Sequence, residues 1–342
     1  MRTSGRLINR QGDARFGVFA EPISEVNFRD YDLRSPMDRR RSPLARHLAF
    51  HQFQFLGGLS ESLVFGCAII DIRLVGQAFL YFYEPLTRRL AEFSFRAPLA
   101  LGTHFDQRPE DGSATFRSGS NHVAMTATSE PRQRQLWVRL ENGVEVDAVF
   151  DEQDPAIEPM WISTPTGAEG FVFARKTAGS QVSGIIRWEG QTLDLAQLGV
   201  LGHNDWTAGF MRRETFWNWG CIAARLADGR IVGMNVSCGV NETGHSENCF
   251  WVDGALHRVG CVSFEYDRRD LMKGWRLRDS DGRVDLEFTP EGSHTEKINA
   301  LVVASNFHQL FGRYHGTLRT QAGESIELQG QFGYAERHYA KW

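Results

Sequence analysis

The sequence predicts an all-β protein made of antiparallel barrels or sandwiches, and three observations carry that prediction. Few windows repeat apolar residues at i, i+3, i+4 and i+7 over several turns, the mark of a helix packed on one face. Segments rich in β-branched and aromatic residues recur instead, among them AFLYFYEP, RQLWVRLENGVEVDAVF, SGIIRWEGQTLDL, WGCIAARLADGRIVGMNV and GTLRTQAGESIELQG. They are broken by the Asn-Gly, Asp-Gly, Glu-Gly and Ala-Gly pairs that close tight hairpins. The 34 glycines and 24 phenylalanines among 342 residues suit a sheet protein of tight turns and packed faces.

Taken in order, residues 1–44 read as an irregular arm. The stretch DLRSPMDRRRSPLARH within and just after it is rich in Arg and Pro, and its RRR run is a solvated or salt-bridged surface on the usual reading of charge runs. A first strand-rich unit follows over 45–165. The segment DEQDPAIEPMWISTPTGAEG, with three prolines, several acids and little periodicity, marks a boundary. A second unit then spans 170–342. Within it, SGIIRWEGQTLDLAQLGVLGHND (from Ser183) and HGTLRTQAGESIELQGQFGYAE (from His315) echo one another, each ending Gly-x-x-acid: Gly202 to Asp205 and Gly333 to Glu336. An up-and-down barrel pairs its first and last strands, which would bring Asp205 and Glu336 to neighbouring strands of the second unit.

A formal net charge of −4 excludes the basic excess of a nucleic-acid binder. The opening residues lack the apolar core of a secretion signal. The best apolar run, SLVFGCAIIDIRLVG, is interrupted by Asp71 and Arg73 and does not span a bilayer. Five cysteines without a CxxC pair read as reduced, buried thiols in a cytoplasmic protein.

Chemistry concentrates in GHNDWTAGFMRRETFWNWG. In a strand Trp217 and Trp219 share a face, so they form either core packing or the wall of an apolar cavity. His203 and Asp205 also share a face. A carboxyl beside apolar surface has a raised pKa and serves as a general acid, and electron-rich rings stabilise a neighbouring cation. The alternative is a structural Asp205 that caps a turn or pairs with Arg212 or Arg213. The segment from Gly233 to Gly254 adds Asn235, Glu247 and Asn248, which would orient a substrate or a water, while Asn241 to Gly244 reads as a turn. Near residue 342, Tyr334, Glu336 and His338 would share one face. Glu336 then partners Asp205 or forms a buried bridge with an Arg. His203, Asp205, His245 and Glu247 have metal-ligand chemistry but no compact metal-binding spacing, so no metal is expected. Nucleophile-elbow, phosphate-loop and dinucleotide-binding motifs are absent from the sequence, and no cofactor is expected.

The order of a G-x-I-x-x-x-G hairpin, D-W-x-x-G, W-x-W and L-x-D-G-R-x-x-G-x-N resembles the lipocalin-like hydratase and cyclase superfamily, which includes carotenoid 1,2-hydratases and AttH-like proteins. Within it the chain is most similar to a bacterial domain-of-unknown-function family. The matching residues are Asp205 with Gly209, Trp217 with Trp219, Asp228 with Gly229, Gly233 with Asn235, Glu247 with Asn248, Phe311 and Gly312 with Gly316, and Glu336 with Trp342. The resemblance implies two tandem lipocalin-like antiparallel β-barrels with an apolar ligand held within or between them, and acid-assisted hydration or ring closure in some members. The aspartate of the hydratase segment W-x-D-R maps onto Asp205, although Trp206 follows it here and His203-Asn204 precedes it.

These readings name Asp205, His203 and Glu336 as candidate catalytic residues and Trp206, Trp217, Trp219, Asn235, Glu247, Asn248 and Arg212 as candidate substrate contacts. The expected partner is a hydrophobic small molecule or lipid, isoprenoid-like, with peripheral membrane contact for loading it and no nucleic acid. Acid-assisted hydration, isomerisation or cyclisation, a non-catalytic carrier, and a purely structural role are the competing functions.

Overall fold

The computed structural model describes residues 5–240, 244–300 and 303–342; most of the turn expected at 241–244 lies outside them. The chain is almost entirely β, folded into two curled antiparallel sheets in tandem. In the first, the strands run in space as Arg89–Pro98, Val75–Glu84, Val64–Asp71, His51–Leu59, Leu201–Gly209, Gly170–Trp188, Glu145–Asp151, Arg132–Arg139, Asn121–Ser129, Ser113–Ser118 and Thr103–Phe105. In the second they run as Ala255–Arg258, Cys249–Val252, Ile231–Cys238, Glu214–Arg225, Ser325–Lys341, Val303–Arg319, Val284–Ala300, Trp275–Asp279 and Val262–Glu265.

Period-two alternation builds three cores from these strands. One face of the first sheet closes on itself around Leu56, Phe65, Leu80, Phe116, Leu136 and Phe150. The second sheet does the same around Ile222, Met234, Trp275, Phe288 and Tyr314. The outward faces of the two curls then meet, burying Phe55, Tyr81, Tyr83, Trp219, Phe311 and Tyr334 in a shared seam. Tyr83 stacks on Phe311 across it, with ring centroids 4.4 Å apart.

Before the first long strand, the chain is the irregular arm that the sequence suggested. It lays Leu7, Ile23, Val26 and Phe28 over Trp161, Phe173, Trp206 and Phe210. The arm ends in one short helix, Pro43–Ala49, with Pro43 in its first turn and Ser42 Oγ accepting from the Ala45 amide at 3.2 Å. Arg40 of the RRR run pairs with Asp32.

Two expectations need correction. The proline-rich segment does not separate the units: Met160–Thr166 pairs with Gly170–Trp188, and that strand and Leu201–Gly209 complete the first sheet. The change of sheet falls between Gly209 and Glu214. Pro165 is tolerated because it sits in an edge ladder opposite Phe171. Accordingly, Asp205 and Glu336 are not on paired strands, since Glu214–Arg225 rather than Leu201–Gly209 closes on Ser325–Lys341.

The sequence echo acquires a different meaning. Gly184 and Gly316 both have left-handed backbones, at φ 109° and 122°, and a Cβ on either would overlap the carbonyl oxygen of Asp147 or Asp285 in the neighbouring strand. Each echoing hairpin therefore occupies the same place in its own barrel. Cys67, Cys221 and Cys249 are buried as expected, but Cys261 is exposed. No described helix is long and apolar enough to cross a membrane.

Candidate active site

Equivalent hairpins put equivalent residues on the seam. In the first sheet, Asp205 lies between Lys176 on one neighbouring strand and Phe55 on the other. In the second, Glu336 lies between Gln309 and Trp219. Two residues along, Thr207 pairs with Phe53, and His338 pairs with Trp217 and Phe307. The side chains of both sets face one cavity of about 170 Å³ between the curls. Apolar cavities of about 150 Å³ hold a benzene-sized molecule, so the enclosed space takes roughly one ring of a ligand. Phe53, Phe55, Phe79, Trp217, Trp219 and Phe307 supply most of its wall, while Met211, Arg212 and Trp342 stand at its opening.

Three charges meet on the first-sheet side. Lys176 Nζ lies 3.0 Å from Asp205 Oδ2 and 2.7 Å from Glu247 Oε1, and Thr207 Oγ1 donates to Asp205 Oδ1 at 2.7 Å. Glu247 comes from the second-sheet side, so the pair also fastens the two curls together. Burial raises the Asp205 pKa and Glu247 raises it further, against the opposing pull of Lys176 and Thr207. Burial works against the Lys176 ammonium, but the two carboxylates outweigh it and hold its pKa above the ordinary value.

On the facing side, Glu336 Oε1 accepts from Trp217 Nε1 at 2.8 Å and Oε2 from Gln309 Nε2 at 3.2 Å. Tyr81 in turn donates to Gln309 Oε1 at 2.6 Å. The His338 ring lies 4.2 Å from that of Trp217, and its Nε2 is 3.0 Å from Ser305 Oγ. The cavity thus presents a carboxyl whose pKa is raised by burial, a second carboxyl held by neutral donors, and electron-rich rings between them. Such an array can donate a proton to an apolar substrate and shelter the cation that results. Among the described residues no group of three His, Cys, Asp or Glu side chains is placed to hold a metal ion.

Residues 1–342, the full length, match the model of a family described as Domain of unknown function (DUF2804). The chain belongs to this family. No curated protein matches it. Among solved structures, it is similar to a putative AttH from Nitrosomonas europaea, with TM-score 0.52 and 13% identity over 84% of this chain and 92% of that one. It is also similar to kievitone hydratase from Nectria haematococca, with TM-score 0.52 and 8% identity over 85% and 89% of the two chains. A third similar structure is CghA with Sch210972, with TM-score 0.55 and 10% identity over 98% and 97%. At these identities the likenesses establish the fold: the two-barrel architecture is shared nearly from end to end.

In this DUF2804 protein the expected site residues separate into three groups. Asp205, Glu336, Trp217, Trp219, Glu247 and Arg212 all line the cavity. Asp205 pairs with Lys176 rather than with Arg212 or Arg213, and the bonds of Glu336 run to Trp217 and Gln309 rather than to an arginine. Asn235 and Asn248 brace the wall from behind. Asn235 Oδ1 accepts from Trp219 Nε1 at 2.8 Å, and Asn248 Oδ1 accepts from the Ser237 amide at 2.6 Å. Trp206 and His203 do not line the cavity.

Trp206 follows Asp205 directly, so alternation turns it to the opposite face, where it packs under the arm against Phe173. His203 shares the face of Asp205 but lies deeper, among Phe55, Trp219 and Tyr334. Its Nε2 fills the space left by Gly57, where a Cβ would come within 2.3 Å. Burial, and then the Lys176 ammonium, push its pKa down to about 3, so it is neutral near pH 7. Lys176, Thr207 and Gln309 are cavity residues that the sequence reading missed. Thr207 was legible by alternation from Asp205, whereas Lys176 and Gln309 lie opposite the two acids only through strand pairing.

Proposed function

We infer that this protein is an acid–base enzyme of the hydratase, isomerase or cyclase type, acting on an apolar small molecule held between its two barrels. One observation carries the reading: the carboxyl of Asp205, its pKa raised by burial, faces a cavity walled by aromatic rings. In this reading Asp205 transfers its proton to a double bond, forming a C–H bond and leaving a carbocation on the substrate. The faces of Trp217 and Trp219 stabilise that cation. Water addition or ring closure followed by proton loss to the Asp205 carboxylate, or direct proton loss toward Glu336, then completes the reaction. The similarity to kievitone hydratase is compatible with chemistry of this class. One ring or branched alkene unit of an isoprenoid-like or other lipid-like molecule suits a cavity of this size and lining.

The test begins with native mass spectrometry of freshly purified protein, to weigh and extract whatever apolar molecule it carries. That molecule is then incubated with the protein in D₂O, and deuterium entering carbon is followed by mass spectrometry. The wild type should incorporate deuterium, and Asp205→Asn should slow incorporation by about 10²–10⁴-fold while still retaining the ligand. Full incorporation by Asp205→Asn removes the assigned acid. A ligand recovered unchanged from wild type and variant alike makes the protein a carrier, with the same tryptophans serving only to bind.

A further inference from the structure

The geometry points to a docking surface for an anionic lipid bilayer, at the end of the first barrel where the cavity opens. Strand register fixes that end. Phe53, Ile70 and Thr207 line the cavity, and just beyond them His51 pairs with Gly209 and Gln52 with Asp71. The His51 ring lies 5.6 Å from that of Trp342 at the opening. Past this rim stand the helix Pro43–Ala49, the turn at 72–74 and the loop at 98–102. Arg73 joins the first two, donating from Nε to the Phe50 carbonyl at 3.1 Å with its guanidinium over the Phe50 ring. The Leu99 amide joins the third by donating to the Leu74 carbonyl at 2.8 Å.

This surface displays leucines to solvent. Leu44 is 67% exposed, Leu99 69% and Leu101 63%, with Leu48 and Leu74 partly so. Leu44 and Leu48 are four residues apart and share a helix face. Leu99 and Ala100 both hold left-handed backbones, at φ 54° and 51°. That conformation costs a residue with a side chain, and the cost recurs where a function holds it. Here it presents Leu99 and Leu101 outward rather than burying them. Arg39 and Arg41, on the same arm, are exposed and make no ion pair among the described residues. Protruding leucines, with exposed arginines in the chain segment leading into the helix, fit a headgroup layer carrying negative charge, into which the leucines insert. The neighbouring opening leads to a cavity suited to molecules that partition into such a layer. The inference goes beyond the catalytic reading and stands whether or not Asp205 is an acid.

Co-sedimentation of the full chain with vesicles tests it, using phosphatidylcholine alone and phosphatidylcholine mixed with phosphatidylserine. The protein should sediment with the anionic vesicles and release as salt is raised. Leu99→Asp with Leu101→Asp, or Leu44→Asp with Leu48→Asp, should weaken binding by about tenfold or more with melting temperatures unchanged. Arg39→Ser with Arg41→Ser should reduce the preference for phosphatidylserine. Failure to sediment with either vesicle overturns the proposal. So does undiminished binding by the leucine variants. A dimer in solution that these leucine substitutions split into monomers would overturn it too, assigning the face to a second copy of the chain.

Discussion

Asp205 is the second carboxyl beside a single ammonium. Lys176 and Glu247 already make a pair at 2.7 Å, so ionising Asp205 leaves a net negative charge in an apolar space. That is the physical origin of its raised pKa. Its folded pKa lies above the unfolded value, so the native state favours the proton. Stability is therefore given up as pH rises from the ordinary aspartate range through the folded value. Asn cannot ionise and escapes that loss. Asp205→Asn should melt higher than the parent near pH 7, by on the order of a few degrees, with the gap closing toward pH 4. Thermal melts across that range check it. A variant that melts lower at pH 7 would mean that Lys176 needs both carboxylates and that Asp205 is primarily structural.

The acids were legible in the sequence because a charged residue in a run of Trp, Phe and Gly stands out. Lys176 was not. It lies midway along a 19-residue strand in which Arg175 on the opposite face is also buried, in an ion cluster with Glu110, Glu152 and Arg134. A strand with charges buried on both faces gives no alternation to read. Trp206 failed for the converse reason: it was grouped by proximity in sequence, where alternation alone would have turned it away.

At the scale of elements, the echoing hairpins place Lys176 against Asp205 and Gln309 against Glu336 in matching ladders. One ladder holds its acid with a cation and the other with an indole N–H and a neutral amide, so the two walls are alike in backbone and unlike in charge. The short echo was visible in sequence, but not that its halves belong to different sheets, because hydrogen bonds between distant strands choose the sheet. The cationic wall depends on Glu247, which reaches it from the second sheet. Lys176→Met would leave Asp205 and Glu247 as facing carboxylates without their ammonium, and breaking a buried pair in this way costs about 3–5 kcal/mol. Urea unfolding should register that loss. Lys176→Met combined with Glu247→Gln should recover a substantial part of it, because no unpaired charge then remains beside Asp205. A double variant no more stable than Lys176→Met would show that the loss comes from packing rather than charge.

For the whole molecule, strand content and the two-barrel plan were readable because turn chemistry and period-two patterning are local. The seam was not, because it is made by outward faces that a single strand cannot distinguish from solvent-facing ones. Three buried histidines lie along that seam. His51 faces Trp342, His203 faces Trp219 and Tyr334, and His294 faces Phe79 and Tyr81. Burial is the main cause that pushes their pKa values down to about 4, about 3 and about 4, aided by Arg73 at His51 and by Lys176 at His203. Below pH 6.5 the unfolded chain takes up protons at these positions while the native state does not, so stability falls as pH drops, until the native imidazoles charge near pH 4 to 3. Glu152, held down to about 2 by Arg175 and Arg134 against its burial, adds to the loss only as pH falls below the ordinary glutamate range. The decline should therefore begin while most carboxylates are still ionised. Urea midpoints measured between pH 7 and 4.5 should fall steadily, approaching a slope of three protons, or about 4 kcal/mol per pH unit. His294→Gln should lower that slope by about one proton, since its shift comes from burial alone. A midpoint that stays flat over this range would mean that the histidines are hydrated in the native state, and that the seam between the barrels is not the dry junction their burial implies.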